Sequence, residues 1–435
     1  MHKRAVTALA ALTVGFAIAF APASADETPA APLSLDAAVS LALEHNPSYR
    51  IAHVGVVASR ARLRQSAAPR LPSVALHDAF AYASPVAELS TPFGALPFSS
   101  TTTTNVPLLT VSYSLFDGGR TAARVSEAAA GLAGADAQER SARMTLIDST
   151  TKAYFDLVAA MQSATVADRA VTVAQSHRND AQLLFNAGQV PHADVLRAST
   201  ELANERVQSL AAHNAVAVAQ TVLDGVLGLP LGDLHAPTDR LDGGAPDVAL
   251  QTLLDAADAN RGDVAAARAA IDAASYALKE ARTGRTPHVD VVVADGNVQP
   301  AVAPGYRNQF SVGLNAVWTL FDNGSVAGNV AAAQAGIDQA KLTLDQLQND
   351  VGLQVRQAYL NLSDAKARAA ASQTYVALAD ENLRLAQVRY RGGVGTLLEL
   401  QDAELRATAA RQTLISAQVA VREGIVHVRF AAGLL

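Results

Sequence analysis

The stretch "SLFDGGR", Ser114–Arg120, returns almost unchanged as "TLFDNGS", Thr319–Ser325. Leu115-Phe116-Asp117 and Leu320-Phe321-Asp322 stand 205 positions apart. In both copies a run of alternating residues precedes the motif, and a long, alanine-rich run follows it. The motif marks a change of period, from the alternation of a strand to the spacing of a helix. Asp accepts hydrogen bonds from the free N–H groups that open a helix, and Gly permits the bend. The junction candidates are Phe116, Asp117 and Gly119, and then Phe321, Asp322 and Gly324.

The offset of 205 extends downstream: Tyr154 matches Tyr359, Leu157 matches Leu362, Gly188 matches Gly393, and Asp194 faces Glu399. Upstream of the motif the offset is 215, with Leu35 matching Leu250, Pro72 matching Pro287 and Val74 matching Val289. Two structural repeats follow, at 34–229 and 249–434, each ordered helix, strand, strand, long helix, helix. A unit this long is a duplicated domain, since solenoid repeats run only about 20–50 residues.

In the first repeat Leu109, Val111, Tyr113 and Leu115 alternate with Thr110, Ser112 and Ser114. In the second, Phe310, Val312, Leu314, Ala316, Trp318 and Leu320 share one face, against Ser311, Gly313, Asn315 and Thr319. Weaker runs, Val74–Tyr82 and Val289–Asp295, supply an earlier strand to each repeat. Between the paired strands, Pro, Gly, Ser and Thr predict irregular loops. After the junction, Arg120–Phe185 has no proline and predicts a helix of about 100 Å. Leu344, Leu347, Val351, Val355, Tyr359 and Leu362 step by three or four, a stripe suited to coiled-coil packing. Asn46-Pro47 reads as N-cap and first residue of a shorter helix, which laid end to end with His192–Gly228 nearly matches the long one.

Half of the 435 residues are hydrophobic, 17% are charged and the net charge is −6, so no basic field points to nucleic acid. There is no cysteine, which excludes disulfides, thiolate metal sites and a lipid-bearing N-terminal Cys. His2, Lys3 and Arg4, the apolar run Ala5–Ala21 and Ala23-Ser24-Ala25 form a signal-peptide pattern over residues 1–25. No later run of about 18 consecutive apolar residues appears, so no transmembrane helix is expected.

Four strands, each with one apolar face, cannot close a membrane barrel, which needs at least about eight. An open sheet in lipid leaves unsatisfied edges. If the strands lie in a membrane, a symmetric ring closes the sheet most simply, and three chains bring about 12 strands.

The signal peptide, "LSLDAAVSLALEHNPSYRIA", "YSLFDGGR" and "WTLFDNGS", "AYFDLVAA" and "AYLNLSDAKA", and "VRYRGGVGTLLELQDAEL" follow one another along the chain. Together they resemble the TolC-like outer-membrane efflux protein family, the outer-membrane factors. The resemblance implies an α+β membrane protein. A homotrimeric, 12-stranded outer-membrane β-barrel with four strands per chain would continue into a long periplasmic α-helical coiled-coil tunnel. It implies the outer membrane of a Gram-negative bacterium as the location. Outer-membrane lipid, a periplasmic adaptor (membrane fusion) protein and an inner-membrane pump are the implied partners. The implied function is a passive exit duct for tripartite efflux or type I secretion.

The resemblance also directs attention to the turns. Glu399 and Asp402 match the acidic ring that narrows the periplasmic aperture in family members, with Asp194 as the first repeat's counterpart. Gly188, Gln189, Val190 and Pro191, together with Gly392, Gly393, Val394, Gly395 and Thr396, form the helix turns where adaptor hairpins would dock. The chain has no H-E-x-x-H, G-x-S-x-G or phosphate-loop motif. No catalytic residue, cofactor or metal is expected. A periplasmic structural coiled coil tethering envelope layers is the alternative reading, and the paired alternating strands weigh against it.

Overall fold

A computed structural model of the chain describes residues 31–83, 88–92, 94–97, 102–232, 235–241, 248–298 and 307–435. The expected signal peptide, 1–25, lies outside the described residues. The elements in order are β1 (Ala31–Leu33), α1 (Leu35–His45), α2 (Pro47–Ala67), β2 (Ser73–Ala83), β3 (Glu88–Thr91), β4 (Gly94–Pro97) and β5 (Thr102–Phe116). There follow α3 (Arg120–Asn186), α4 (His192–Leu227), β6 (His235–Pro237), α5 (Leu250–Asn260) and α6 (Gly262–Arg282). The chain closes with β7 (His288–Val298), β8 (Arg307–Val317), α7 (Ser325–Arg391) and α8 (Leu397–Ala431). The offsets seen in the sequence recur in the element bounds. Helices α3 and α7 are both 67 residues long, and both ends of α7 are displaced by 205.

One antiparallel sheet, in the order β2-β5-β7-β8, unites the halves. Its register aligns Leu76 with Leu109, Val111 with Val293, and Val293 with Val312. Side chains alternate across a pleated strand, so these residues lie on one apolar face that crosses all four strands. The other face carries Thr110, Ser112, Ala294 and Ser311. Two local expectations are corrected. The loop expected between β2 and β5 contains a short hairpin, β3–β4. The last strand ends at Val317 rather than at Leu320, because its partner β7 begins at His288, opposite Val317.

Below the sheet the helices form two antiparallel hairpins, α3–α4 and α7–α8, with α6 packed on both long helices and α8 against α3. Asn46 caps α2 by accepting the N–H groups of Ser48 and Tyr49, and its amide donates to the Val226 carbonyl at 2.8 Å. That contact stacks α2 on the end of α4. Gly228 makes the joint possible, with φ +75° and no room for a Cβ against the His45 carbonyl. In the second half Arg261 holds the corresponding joint, donating to the Ala431 carbonyl at 3.3 Å.

Two apolar cores fill the thick part of this layer. Tyr154, Leu157, Leu223 and Leu227 centre the first, and Val351, Val355, Leu362 and Val428 the second. The coiled-coil stripe of α7 lies in the second core. Farther toward the turns the buried clusters shrink to Ala181, Val195 and Ala198, and to Ala379, Ala407 and Ala410. Apolar burial stabilises by about 25 cal/mol per Å². These small side chains therefore hold the hairpin ends together more weakly than the two large cores hold the thick end.

Candidate functional site

The two junctions are built alike. At the first, Asp117 accepts the N–H of Gly119 at 2.9 Å and that of Thr121 at 2.6 Å. At the second, Asp322 accepts Gly324 at 3.0 Å and Val326 at 2.6 Å. The aspartates thus cap α3 and α7 from two residues before the N-cap, which is glycine in both cases, with φ +87° at Gly119 and +85° at Gly324. The backbone N–H groups of Val326 and Gly324 hold the Asp322 carboxyl below the ordinary carboxylate range. For Asp117 partial burial pushes the pKa up, but hydrogen bonds from Thr121, Gly119 and Arg120 outweigh it and leave it lowered. Phe116 and Phe321 are both exposed, as are Leu320 and Trp318, whose indole N–H donates to the Arg285 carbonyl at 3.2 Å. These apolar side chains form a girdle where the sheet gives way to helix.

Above the girdle the apolar face is bare. Leu76 and Phe80 are each 73% exposed and Leu314 is 71% exposed, with Val74, Phe310 and Val312 beside them. A contiguous apolar surface of this kind is not left in water by a soluble protein. Strands of 11 residues, as in β2, β7 and β8, are long enough to cross a bilayer when tilted. The outer edges of β2 and β8 have no partner among the described residues, so their ladder groups require one in lipid.

At the far end, both helix turns come together. Gly188 and Gly393 take φ of +71° and +72°. Gln189 N–H donates to the Leu184 carbonyl at 2.9 Å, and Val394 N–H to the Arg389 carbonyl at 3.1 Å, closing each long helix. A cavity of about 520 Å³ lies between the turns, lined by Asp180, Leu183, Gln189 and Val190 from one hairpin and Tyr390, Arg391, Gly393 and Gly395 from the other. Around it Leu183, Val394 and Leu398 are 67%, 74% and 65% exposed. Burial pushes the Tyr390 hydroxyl pKa up, and the Asp194 and Asp180 carboxylates add to the shift.

The acidic candidates occupy the first turns of the return helices. Glu399 completes a capping box with Thr396, whose hydroxyl accepts the Glu399 N–H at 3.1 Å. Its carboxylate also lies 3.7 Å from Arg389. Asp402 pairs with Arg406 at 2.9 Å and Asp194 with Arg197 at 3.6 Å. Each acid therefore has an arginine beside it, a pairing the reading of the sequence did not draw although the i,i+4 spacing of Asp402 and Arg406 announces it. It missed Leu183 and Tyr390 as well, because only the pairing of the two turns gives them a common surface. Within one chain Glu399 and Asp402 share a face of α8, while Asp194 lies in the first turn of α4 on the other hairpin. Among the described residues no cluster of His, Asp or Glu is arranged to hold a metal ion.

Residues 38–229 and 253–434 match the family model of the outer membrane efflux proteins. Protein CyaE of Bordetella pertussis is 28% identical over 408 residues, covering 93% of this chain and 84% of that protein. Outer membrane protein TolC of Escherichia coli is 25% identical over 347 residues, 75% of this chain and 69% of its own. Among solved structures, the CmeC outer membrane channel of Campylobacter jejuni superposes with a TM-score of 0.78 at 19% identity, covering 92% of this chain and 85% of that one.

Proposed function

The chain belongs to the outer membrane efflux protein family, and from that premise we propose how copies of it assemble into a working duct. The protein is an outer-membrane channel, the exit duct of a tripartite efflux or type I secretion system, and it catalyses no reaction. Three copies join edge to edge, β8 of one beside β2 of the next, to close 12 strands in the outer membrane. Their hairpins continue as a periplasmic tunnel. Each chain is read as two repeats, 34–229 and 249–434, exported by a signal peptide that is removed after residue 25.

At the periplasmic end Glu399 and Asp402 of three chains ring the aperture, with Asp194 near it. Like charges in a narrow mouth favour cations and oppose their own close approach. The arginines beside them temper that field without cancelling it, since exposed pairs in water interact weakly. The two turns, Gly188–Pro191 and Gly392–Thr396, present the cavity between them, with its mixed polar and apolar lining, to hairpins of the adaptor, and the pump behind it supplies the energy. The observation that carries this reading is the four-stranded sheet with one bare apolar face and two edges unpaired among the described residues, continuous with helices 67 residues long. A periplasmic tether would leave that face unexplained.

The duplication supplies the test. Inside one chain Thr110 of β5 faces Ala294 of β7. Applying the offsets of 205 and 215 to that pair puts Asn315 of β8 opposite Ala79 on a second copy's β2. The chain has no cysteine of its own. Asn315→Cys/Ala79→Cys protein should form disulfide-linked dimers and trimers in membranes, while either single variant forms no such ladder. A double variant that stays monomeric under oxidation would contradict the edge-to-edge ring.

A further inference from the structure

The duplication makes one seam of the molecule a template for another. Helix α3 stands between α2 and α4 on one side and α6 and α8 on the other, and α7 lies beyond α6 and α8. The seam of α3 with α6 and α8 joins the first repeat to the second, and it is polar. Arg124 donates to Glu280 at 2.7 Å, Lys152 pairs with Glu423 at 3.4 Å, and Asp148 with His427 at 3.4 Å. The Gln412 amide donates to the Ser163 hydroxyl at 2.7 Å, and His177 meets Glu404 nearer the turns.

The offsets of 205 and 215 carry these positions to the two outer faces of the helical layer. Helix α7 follows β8, and α2, stacked on α4, precedes β2, so the outer faces hang below the two sheet edges that are unpaired among the described residues. On α7 Asp148 becomes Leu353, Lys152 becomes Gln357 and His177 becomes Asn382. On α4 His427 becomes Val222, Glu423 becomes Val218, Gln412 becomes Val207 and Glu404 becomes Ser199. Arg124 and Glu280 become Asn329 and Gln65. The one charge gained, Arg368 in place of Ser163, pairs with Asp364 on its own helix at 2.7 Å. Leu353, Val207, Val218 and Val222 are each more than half exposed. Helix α4 carries an 18-residue stretch as apolar as a membrane span, of which only 17% is buried within the chain.

We propose that a second copy of this chain covers these faces, α7 of one against α4 and α2 of the next, and that this seam is apolar where the seam inside each chain is charged. The inference rests on the ring of copies proposed above and adds what holds its helices together. Asp148 opposite His427 maps to Leu353 opposite Val222 of the next copy, and Lys152 opposite Glu423 maps to Gln357 opposite Val218. Contact there removes exposed leucine and valine from water, which favours association in proportion to the apolar area covered. The two unlike seams also sort the repeats. Helix α3 set against the α4 of another copy would strip Asp148 and Lys152 of their partners and face them with valines, which is unfavourable. Helix α7 set against another α8 would leave His427 and Glu423 opposite Leu353 and Gln357. A first repeat therefore accepts only a second repeat as its neighbour, and the repeats alternate around the ring.

The template also supplies the test. Inside the chain a Cβ at Gly134 of α3 would stand 3.6 Å from that of Ala269 on α6, within the range of about 3.5–4.5 Å that a disulfide spans. The offsets carry this pair to Gln339 of α7 and Val54 of the next copy's α2, both exposed. Gln339→Cys/Val54→Cys protein should form disulfide-linked dimers and trimers when oxidised in membranes, and either single variant should form none. If the sheet pair Asn315→Cys/Ala79→Cys cross-links and this helix pair does not, the ring stands and the helical seam is overturned. If neither pair cross-links, both are overturned. Sedimentation of the full-length, detergent-purified protein tests the chemistry of the seam. Leu353→Glu and Val222→Lys should each lower the trimer-to-monomer ratio about tenfold, and Leu353→Glu/Val222→Lys should recover most of it, because the double variant restores a pair of opposite charges. Single variants that assemble like wild type, or a double variant no better than the singles, would overturn the apolar seam.

Discussion

Asp322 gives the second junction its response to acid. Two backbone N–H groups hold its carboxyl below the ordinary value of about 4. A depressed folded-state pKa favours the native state wherever the group is ionised. That contribution is complete above about pH 4 and is lost as the pH falls through the lower, folded-state value. Trp318, the one tryptophan of the chain, is a built-in reporter four residues away. Its emission should shift in a step below about pH 4, where carboxylates ordinarily titrate. Asp322→Asn should remove that step, and a step of unchanged size in the variant would show that some other group governs the junction. The role of this aspartate was legible in the sequence, because Leu-Phe-Asp-x-Gly occurs twice at a change of period. Its route was not, since the carboxylate reaches past a glycine N-cap that by itself caps nothing.

Between elements, the joints where helices meet end to end rest on single polar side chains. The Arg261 guanidinium is buried and donates to Asp263, Gln354 and the Ala431 carbonyl. Burial pushes the Asp263 carboxyl up, and the Arg261 contacts bring it below the ordinary value. Arg261→Ala should destabilise the second core by about 2–3 kcal/mol, the usual cost of hydrogen bonds lost at a charged group. Arg261→Asn, which is the first half's solution, should recover part of the loss by capping α6. Equal thermal stability of the alanine variant and wild type would refute this. Nearer the turns, burial raises the pKa of Glu205, and Glu201 and Glu404 raise it further. A raised pKa means that packing there weakens as the pH climbs through the folded-state value. Glu205→Gln should therefore raise the melting temperature at pH 7 relative to wild type and leave it unchanged well below pH 4. The helices and their bounds could be read from the offsets and the absence of proline. The joints could not, because Asn46 and Arg261 do the same work with unlike side chains. The three-residue strands β1 and β6 are too short to leave a period.

At the scale of the whole molecule, the sheet and the hairpins solve one problem between them. Strands with one apolar face need lipid outside and partners at both edges, and the long helices need neighbours on their remaining faces. The proposed ring of copies would meet both needs. The alternation of β5 and β8 made the sheet legible, while its strand order, β2-β5-β7-β8, depends on pairing between the halves that no local pattern encodes. The aperture candidates Glu399, Asp402 and Asp194 came from resemblance alone, and each of them lies beside an arginine. The most direct measurement is the single-channel conductance of the detergent-purified protein in a planar lipid bilayer, wild type against Glu399→Ala/Asp402→Ala. Small, cation-selective currents that grow or lose selectivity in the variant are the predicted result. A protein that inserts without conducting, under any applied potential and in either form, would contradict the account of an exit duct.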